Sequence, residues 1–335
     1  MNIYDISEKA GVSIATVSRV LNGNTNVSEK TKKKVLAIMQ EYGYTPNAFA
    51  RGLTANTMHT VGIMCPDSSD PYLAQAVYYM EQNLRKRGYD VLLCCTGYEL
   101  ADKQNYMQLL LAKNVDGIIL VSSTFVSSVP EDNEYIKQAS EKVPVIILNA
   151  SLESPNIYSV FCNDEKATEE ATTALLQNGR KQILFLYSSH SYSSMKKRSG
   201  YEKALAAHGM ETDKKLLQYC SDAESVTGVK EFLKKLAADG ITYDAVVTID
   251  DKLAVGVIKY AKEMNISIPS ELEIVGYNNS TLAECCEPEL TSVDSKPVTL
   301  CKQCSDALIT VLAGGEFPNK SVFSAELIKR GTTHF

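Results

Sequence analysis

From Thr60 onward, apolar segments of strand length alternate with amphipathic segments of helix length. One series begins with TVGIMCPD at residues 60–67 and ends with VPVIILN at 143–149, and a second runs from SVFCND at 159–164 to EIVGYNN at 273–279. Strands and helices in such alternation form parallel sheets that carry helices on both faces. The sequence therefore predicts, for residues 60–335, an α/β body of two doubly wound parallel-sheet subdomains.

The chain is expected to cross between these two subdomains. The segment LTSVDSKP (290–297) and the helix after it are expected to return to the first subdomain, and SAELIKR (324–330) is expected to join the second. The predicted first subdomain comprises residues 60–158 and 291–321, and the second comprises 159–290 and 322–335. A chain of 335 residues with 44% hydrophobic content is large enough for more than one core.

Residues 1–45 predict an all-α head of three short helices. The first covers residues 3–10 and ends at Gly11, the second covers 14–21 after the N-cap Ser13, and the third runs from the N-cap Ser28 to Tyr42. Apolar side chains at helical spacing supply a small shared core: Ile6, Val17, Leu21, Val35, Met39 and Tyr42. The pattern is typical of a helix-turn-helix with a supporting third helix.

Small and polar side chains cover the outer face of the second helix, which we call the reading face: Ile14, Ala15, Thr16, Ser18 and Arg19. Such a helix can enter the major groove, where Arg19 can bind guanine and Ile14 and Ala15 can contact thymine methyl groups. Residues 1–58 carry seven basic and four acidic side chains in a chain of net charge −6, which suits a polyanionic partner for the head. The same spacing also fits a surface helix that is merely small and polar.

Two longer motifs bear on that choice. The pattern ATVSRVLNG-x-x-x-VS-x-x-T-x-x-x-V covers residues 15–35, and GY-x-PN-x-x-AR-x-L covers 43–53. Together they resemble the DNA-binding segment of the LacI/GalR family of bacterial repressors, and SIATVSRVLNGN (13–24) is most similar to the reading helix of its catabolite control proteins. The resemblance implies a sequence-specific DNA-binding transcriptional regulator, a repressor, with a body like that of periplasmic binding proteins.

The resemblance also implies DNA contacts from the head and from a hinge at residues 46–59. The DNA-binding residues that it indicates are Tyr4, Ser13, Ile14, Ala15, Thr16, Ser18, Arg19, Asn22, Ser28, Thr31, Tyr44, Asn47, Arg51 and Leu53. By analogy with the family, Leu53 inserts between base pairs at the operator centre. Gly52 weakens a hinge helix by about 1 kcal/mol relative to Ala, which suits a hinge that is helical only on DNA. Without the family pattern, this segment would be interpreted as an ordinary linker.

Loops that follow the strands of facing parallel sheets line a cleft where ligands bind. For this cleft the resemblance implies a small effector, which is a sugar, a sugar phosphate or a similar metabolite. The effector-binding residues that it indicates are Tyr72, Asn149, Tyr192, Ser194, Arg198, Asp222, Asp251 and Asn278. Arg198, in RSGY, matches the arginine that forks to the ligand in the family. Asn278 stands where the family usually has aspartate, and an amide can donate hydrogen bonds as well as accept them.

These positions also have purely structural interpretations. Arg198 can pair with a carboxylate at a helix start, and the pair Asp250–Asp251 can cap a helix. The basic run 196–198 fits a solvated helix start or, alternatively, a phosphate-bearing ligand. Cys301-x-x-Cys304 has no second cysteine pair at zinc-finger spacing, so neither a metal site nor a cofactor is predicted.

One head covers one half-site, so the resemblance implies a homodimer on a pseudopalindromic double-stranded DNA operator. Catabolite control proteins also bind a serine-phosphorylated transport protein through a basic residue on the helix after the LT-x-V loop. Here Ala307 falls near that position, and the sequence does not support a protein corepressor.

Two other function classes fit the chain less well. A transport-type binding protein requires export, and the N-terminus MNIYDISEKAGVS does not resemble a signal peptide. An α/β enzyme needs a catalytic motif, and the sequence contains neither G-x-G-x-x-G nor a P-loop, while only His190 falls near the predicted cleft. No apolar run reaches the roughly eighteen residues of a membrane span. The sequence thus predicts a cytoplasmic, nucleoid-associated regulator without catalytic residues.

Overall fold

Three helices form the N-terminal unit: α1 (Ile3–Ala10), α2 (Ile14–Leu21) and α3 (Glu29–Glu41). The computed structural model describes residues 2–21, 26–44, 57–223 and 225–335. It divides into two units, Met1–Thr60 and Val61–Phe335, and the second unit is the α/β body.

Polar caps and a glycine set the ends of the head helices. The side chain of Asn2 accepts a hydrogen bond from the backbone of Tyr4 at 2.9 Å, and that of Ser28 accepts one from the backbone of Thr31 at 3.3 Å. Gly11 ends α1 with φ +62°, a left-handed conformation that glycine adopts without strain. The predicted helix-turn-helix with a third helix is confirmed.

The head has its own small core, formed by Ile6, Ala10, Val17, Val20, Val35 and Met39. Tyr42 was predicted to join this core, but its side chain is 44% exposed. Because α3 ends at Glu41, Tyr42 lies past the last helical turn, and the ammonium of Lys9 lies 4.3 Å from its ring centroid. The helical spacing that placed Tyr42 inside does not extend beyond the helix.

The body alternates strands and helices along most of its length. In chain order it contains β1 (Thr60–Cys65), α4 (Pro71–Arg85), β2 (Asp90–Cys95), α5 (Leu100–Ala112), β3 (Gly117–Val121), α6 (Glu134–Ser140), β4 (Val145–Leu148), β5 (Ile157–Cys162), α7 (Asp164–Gln177), β6 (Ile183–Tyr187), α8 (Tyr192–Ala207), β7 (Leu217–Tyr219), α9 (Val226–Ala238), β8 (Ala245–Thr248), α10 (Asp251–Glu263), β9 (Glu273–Tyr277), α11 (Thr281–Cys285), β10 (Thr291–Asp294), α12 (Pro297–Leu312), β11 (Lys320–Phe323) and β12 (Glu326–Ile328).

These strands form two six-stranded sheets, one in each subdomain. The first has the order β11-β5-β4-β3-β1-β2, and the second has the order β12-β10-β9-β8-β6-β7. The strand pairs β1–β3, β3–β4, β4–β5 and β5–β11 are parallel, and so are the pairs from β10 to β7 in the second sheet. At the edge of the second sheet, β12 runs antiparallel to its neighbour β10.

Strand pairing assigns two segments to the subdomain opposite to the predicted one, and it also places residues 322–323, the end of β11, in the first sheet and not in the second. β5 pairs with β4, with Val145 opposite Ile157, so residues 159–162 belong to the first sheet and not to the second. β10 pairs with β9, with Thr291 opposite Val275, so residues 291–294 belong to the second sheet and not to the first. The apolar pattern identifies each strand, but long-range pairing selects its neighbour, and the pattern carries no information on that choice.

Apolar side chains fill both faces of the sheets. In the first sheet, Ile119 and Ile146 point to the core that contains Leu300 of α12, whereas Ile118 and Ile147 point to the core on the other face. A single core cluster spans the second subdomain. Strands that are buried on both faces read as continuous apolar runs, as they do in this sequence.

Within the described residues, no helix combines the length and the apolar character needed to cross a membrane.

Helices α7 and α8 pack with their backbones close together at Gly200. A Cβ atom at Gly200 would lie 2.1 Å from the carbonyl oxygen of Glu165 and 2.9 Å from the backbone nitrogen of Glu169. Both neighbours are backbone atoms of α7, so they cannot rotate away as a side chain can. Glycine at this position is therefore required by the approach of the two helices.

We expect Gly200→Ala to lower the free energy of unfolding by about 3 kcal/mol or more, because the two helices must separate. Alanine is the better helix former by about 1 kcal/mol, so helix propensity alone predicts the opposite sign. Chemical denaturation measures the effect, and Ala206→Gly on the exposed face of α8 is the control, with an expected loss of about 1 kcal/mol. A Gly200→Ala protein as stable as the wild type would contradict this interpretation of the helix contact.

Candidate functional site

The reading face of α2 lies on the surface of the head. Ile14, Ala15 and Arg19 are exposed, Thr16 and Ser18 are half-buried, and Val17 and Val20 face the core. The helix therefore presents short side chains and one guanidinium outward, which is the shape and chemistry that a major groove accepts. Among the other predicted DNA contacts, Tyr4 is exposed and Tyr44 packs partly against the head core.

Paired hydroxyls lie at the N-termini of α2 and α3. The side-chain oxygens of Ser13 and Thr16 are 2.9 Å apart, and those of Ser28 and Thr31 are also 2.9 Å apart. Helix N-termini present free backbone N–H groups that can bind a phosphate. Both helix starts of the helix-turn-helix can thus hold the DNA backbone. The predicted contacts Asn22, Asn47, Arg51 and Leu53 lie outside the described residues.

A cavity of about 160 Å³ lies in the cleft between the two sheets of the body. Segments that follow β1, β3 and β4 form one wall, and segments that follow β6, β8 and β9 form the other. We call this cavity the first chamber, and its lining residues are Asp70, Tyr72, Leu73, Ser122, Ser123, Thr124, Asn149, Ser189, Ser191, Ser193, Ser194, Lys197, Ile249, Asp250 and Asn278. The cleft therefore lies at the carboxyl ends of both parallel sheets, where ligands of such folds bind.

The structure brings Tyr72, Asn149, Ser194 and Asn278 together in the first chamber. The side-chain amide of Asn149 donates a hydrogen bond to the Tyr72 hydroxyl at 2.7 Å, which fixes the orientation of both groups. The hydroxyl of Ser194 is buried and has no hydrogen-bond partner in the described part of the chain. A buried polar group without a partner is costly, so a bound ligand that pairs with Ser194 would be stabilised.

Lys197, and not Arg198, supplies the cation of the first chamber. The Lys197 ammonium donates a hydrogen bond to the carbonyl of Ile249 at 2.8 Å and lies 3.5 Å from the ring centroid of Tyr277. Lys197 is only 7% exposed, and this burial lowers the pKa of its ammonium. Arg198 is half-buried, lines none of the cleft cavities described in this structure, and pairs with Glu202 at 2.8 Å, one turn along α8.

Helical phase explains this correction. Ser194, Lys197 and Tyr201 are all buried, and their spacing of three and four residues places them on one face of α8. A shift of one residue rotates a side chain by about 100° around a helix, which turns Arg198 off the buried face of α8. The motif RSGY located the correct turn of α8. The buried face of that helix would have identified Lys197 as the chamber cation.

The same one-residue difference separates Asp250 from Asp251. Asp250 lines the first chamber and also caps α10, because its carboxylate accepts a hydrogen bond from the backbone of Leu253 at 2.8 Å. Asp251 was predicted to bind the effector, but its carboxylate accepts hydrogen bonds from the Ser292 hydroxyl and the Ser280 backbone, both at 2.6 Å. Asp251 therefore joins three segments of the second subdomain and does not line the chamber.

Two further predicted effector residues lie elsewhere. The Asp222 carboxylate is half-exposed, lies 3.6 Å from the Lys235 ammonium, and lines none of the cavities of the cleft described in this structure. Tyr192 lies against Phe161, with ring centroids 6.0 Å apart, and lines an adjoining cavity. Lys197 and Asp250 line the first chamber, and sequence reasoning did not select either of them as an effector-binding residue.

The cysteine pair of α12 belongs to the core. Cys301 and Cys304 are buried, and burial raises the pKa of the Cys301 thiol to about 12. No group of three or more metal-binding side chains occurs among the described residues. Ala307 is also fully buried in this core, and the exposed base of the helix is Lys302.

Two protein-family descriptions match the chain. "Bacterial regulatory proteins, lacI family" matches residues 2–47, which contain the head. "Periplasmic binding proteins and sugar binding domain of LacI family" matches residues 58–330, which contain nearly all of the body. The two matches divide the chain close to Thr60, where the structure divides it.

Curated relatives match the chain along its whole length. An HTH-type transcriptional regulator of Lachnoclostridium phytofermentans is 54% identical over 335 residues, which is 100% of both chains. Catabolite control protein A of Priestia megaterium is 33% identical over 297 residues, which cover 88% of this chain and 87% of that relative. The solved structure of the Lac repressor dimer bound to operator and the anti-inducer ONPF has a TM-score of 0.86 at 24% identity, over 99% of this chain and 98% of that one.

The buried carboxylate of Asp251 makes the stability of the body depend on pH. Burial raises the pKa of Asp251 from 3.8 to about 6. Between these values the folded state holds the proton and the unfolded state releases it, so this group lowers stability as pH rises from about 4 to 6. We expect the free energy of unfolding of the wild type, relative to Asp251→Asn, to fall by about 2–3 kcal/mol from pH 4 to pH 7.

Chemical denaturation of both proteins at several pH values measures this difference. Asp222→Asn removes a half-exposed carboxylate and is the control for the loss of one surface charge. A wild-type-minus-variant difference that stays constant from pH 4 to pH 7 would show that Asp251 does not titrate in this range.

Proposed function

This chain belongs to the LacI family of bacterial regulatory proteins, and we propose that it is a repressor whose affinity for its operator is set by a small polyhydroxylated effector in the cleft. It is a sequence-specific DNA-binding transcriptional regulator, as its relatives are. We assign no catalytic step to it, and we propose that it acts in the cytoplasm, at the nucleoid, where its operator lies.

One observation carries the effector assignment: polar groups of both subdomains converge on the first chamber. Tyr72 and Asn149 belong to the first subdomain, and Lys197, Asp250 and Asn278 belong to the second. Together they offer a hydroxyl, amides, one ammonium and a carboxylate, which can bind the hydroxyl groups of a sugar in fixed directions. A ligand that contacts both walls binds the closed cleft more tightly than the open one.

For the DNA-binding face we propose a division of roles. Ile14, Ala15 and Arg19 read base edges in the major groove, and the hydroxyl pairs at the starts of α2 and α3 bind phosphates. A homodimer holds two heads about one helical turn of DNA apart, on a pseudopalindromic operator. The solved Lac repressor structure is a dimer bound to operator. Asn47, Arg51 and Leu53 would contact the operator centre.

The proposed coupling is a population shift. Closure of the cleft changes the angle between the two sheets of each subunit. This change alters the distance between the hinges of the two subunits, and the affinity for the operator changes with it. A protein corepressor has no place in this proposal, because nothing at Ala307 supports one.

Selection of genomic fragments by the purified full-length protein tests this function. The selection is repeated at fixed salt with sugars, sugar phosphates and nucleosides, since salt alone changes DNA affinity strongly. An enriched two-fold site whose yield changes with a sugar or sugar phosphate supports the proposal. Failure to enrich any site under all of these conditions would sink it.

We expect Ala15→Asn and Lys33→Gln to weaken operator binding in different ways. Ala15 is proposed to touch bases, so its replacement should change the preferred base at one position of each half-site, by about 1–3 kcal/mol. The exposed Lys33 is proposed to contact phosphate, so its loss should weaken all sequences alike and reduce the salt slope by about one per head. Affinity measurements on a library of operator variants separate the two, and uniform weakening by both changes would contradict the reading-face assignment.

We expect Lys197→Gln to reduce effector affinity about tenfold or more, because a hydrogen bond from a buried ammonium is lost. Arg198→Gln changes a neighbouring cation of the same helix that lines none of the described cleft cavities, and it should leave effector affinity within about twofold. The effector concentration that half-releases the operator measures both. Thermal unfolding of each variant controls for loss of fold, and an Arg198→Gln effect equal to that of Lys197→Gln would contradict the assignment of the chamber cation.

A further inference from the structure

The cleft does not end at the first chamber. A second cavity of about 400 Å³, which we call the second chamber, shares Thr124, Ser189 and Ser191 with it. A third cavity of about 220 Å³ shares Val126 and His190 with the second chamber. The cleft is therefore a row of adjoining cavities, and the largest of the three is not the one that contains the chamber cation.

Aromatic rings form the walls of the second chamber on both sides. Tyr98, from the segment after β2, is 57% exposed although it lines the chamber. On the opposite wall His190 stacks on Tyr219, with ring centroids 5.1 Å apart and planes inclined by only 5°, and Tyr187 meets His190 edge-on at 5.6 Å. The second subdomain thus holds a preordered aromatic group opposite an exposed tyrosine of the first.

The charges of the second chamber already have protein partners. The ammonium of Lys103 donates a hydrogen bond to the carbonyl of Thr124 at 2.8 Å. The carboxylate of Asp132 accepts one from the Ser127 hydroxyl at 2.9 Å. With one lysine and one aspartate among its lining residues, the two charges offset each other, so the chamber does not favour an ionic ligand. Its remaining surface combines rings with the hydroxyls of Ser127 and Ser128, which suits a neutral ring with a hydroxylated rim.

We propose that the effector is an elongated neutral glycoside of at least two units, with one unit in the first chamber and the next in the second chamber between Tyr98 and His190. This proposal rests on the proposed function, because it takes the first chamber as the effector site. The second unit contacts both subdomains, since Tyr98 and Thr124 come from the first and Ser189 and His190 from the second. It therefore adds affinity chiefly for the closed cleft.

Calorimetry on the full-length protein tests this with matched saccharide series. The probes are glucose, xylose, galactose and mannose, each with its β-linked and α-linked disaccharides, together with glucose 6-phosphate. In one series we expect the disaccharide to bind at least tenfold more tightly than its monosaccharide. Tyr98→Ala should reduce disaccharide affinity by about five- to tenfold and leave monosaccharide affinity unchanged.

Two further variants make the test specific. Tyr78→Ala is the matched control, because Tyr78 is 59% exposed and lines none of the cleft cavities described in this structure. Ser128→Trp fills the second chamber from an exposed position outside the first, and it should abolish the advantage of the disaccharide while monosaccharide binding remains. Thermal unfolding of each variant establishes that the fold is intact.

The outcomes separate this inference from the proposed function. A monosaccharide that binds as tightly as its disaccharides, or a Tyr98→Ala effect equal on both, overturns the two-chamber proposal and leaves the effector site in the first chamber intact. If glucose 6-phosphate is the only probe that binds, the proposal of a neutral glycoside is wrong, but the proposal of a ligand-gated regulator stands. If no probe binds and none releases a selected operator, both the glycoside and the proposed effector class are wrong.

Discussion

Three crossings of the chain join the two sheets of the body, after β5, after β10 and after β11, and the geometry of the cleft depends on them. The crossings contact one another. The backbone N–H of Asn163 donates to the carbonyl of Phe323 at 2.8 Å, and the Lys296 ammonium lies 3.5 Å from the Glu326 carboxylate. The exposed ion pair contributes little by itself, but the connected strands keep the subdomains from separating. The motion that the crossings still allow is a change in the angle between the two sheets, and such a change opens and closes a cleft.

Each wall of that cleft is held rigid within its own subdomain. In the second subdomain the Asp164 carboxylate accepts a hydrogen bond from the Tyr277 hydroxyl at 2.6 Å, and the ring of Tyr277 supports the Lys197 ammonium. In the first subdomain the Tyr72 hydroxyl is held by Asn149. Buried polar groups that satisfy one another are costly to disturb. The side chains within each wall therefore keep their arrangement, and closure changes mainly the distance between two preformed halves.

Local sequence signals were sufficient to predict the helices and strands and to predict where in the fold the candidate site lies. Caps such as Ser28, the glycine turn at Gly11 and continuous apolar runs define helices and strands from neighbours in sequence. The partner of a strand is a long-range choice, so the pattern could not assign β5 and β10 to their sheets. The motif around Arg198 located the correct turn of α8, but helical phase decides which residue of a turn faces inward. The spacing of Ser194, Lys197 and Tyr201 carries that phase.

The proposed length of the effector agrees with the free energy that switching requires. Moving a two-state equilibrium from about 1:99 to 99:1 needs about 5.5 kcal/mol of differential affinity. A net hydrogen bond contributes only about 1 kcal/mol, so the ligand needs several contacts that exist in the closed cleft alone. Since each wall is preformed, contacts to a single wall are nearly equal in both states and contribute nothing to switching. The first chamber is the smaller, at about 160 Å³, whereas the second has about 400 Å³ and presents rings from both walls. Both chambers are lined by both walls, so each unit of the ligand adds contacts that exist in the closed cleft, and a second unit increases the free energy available to the switch.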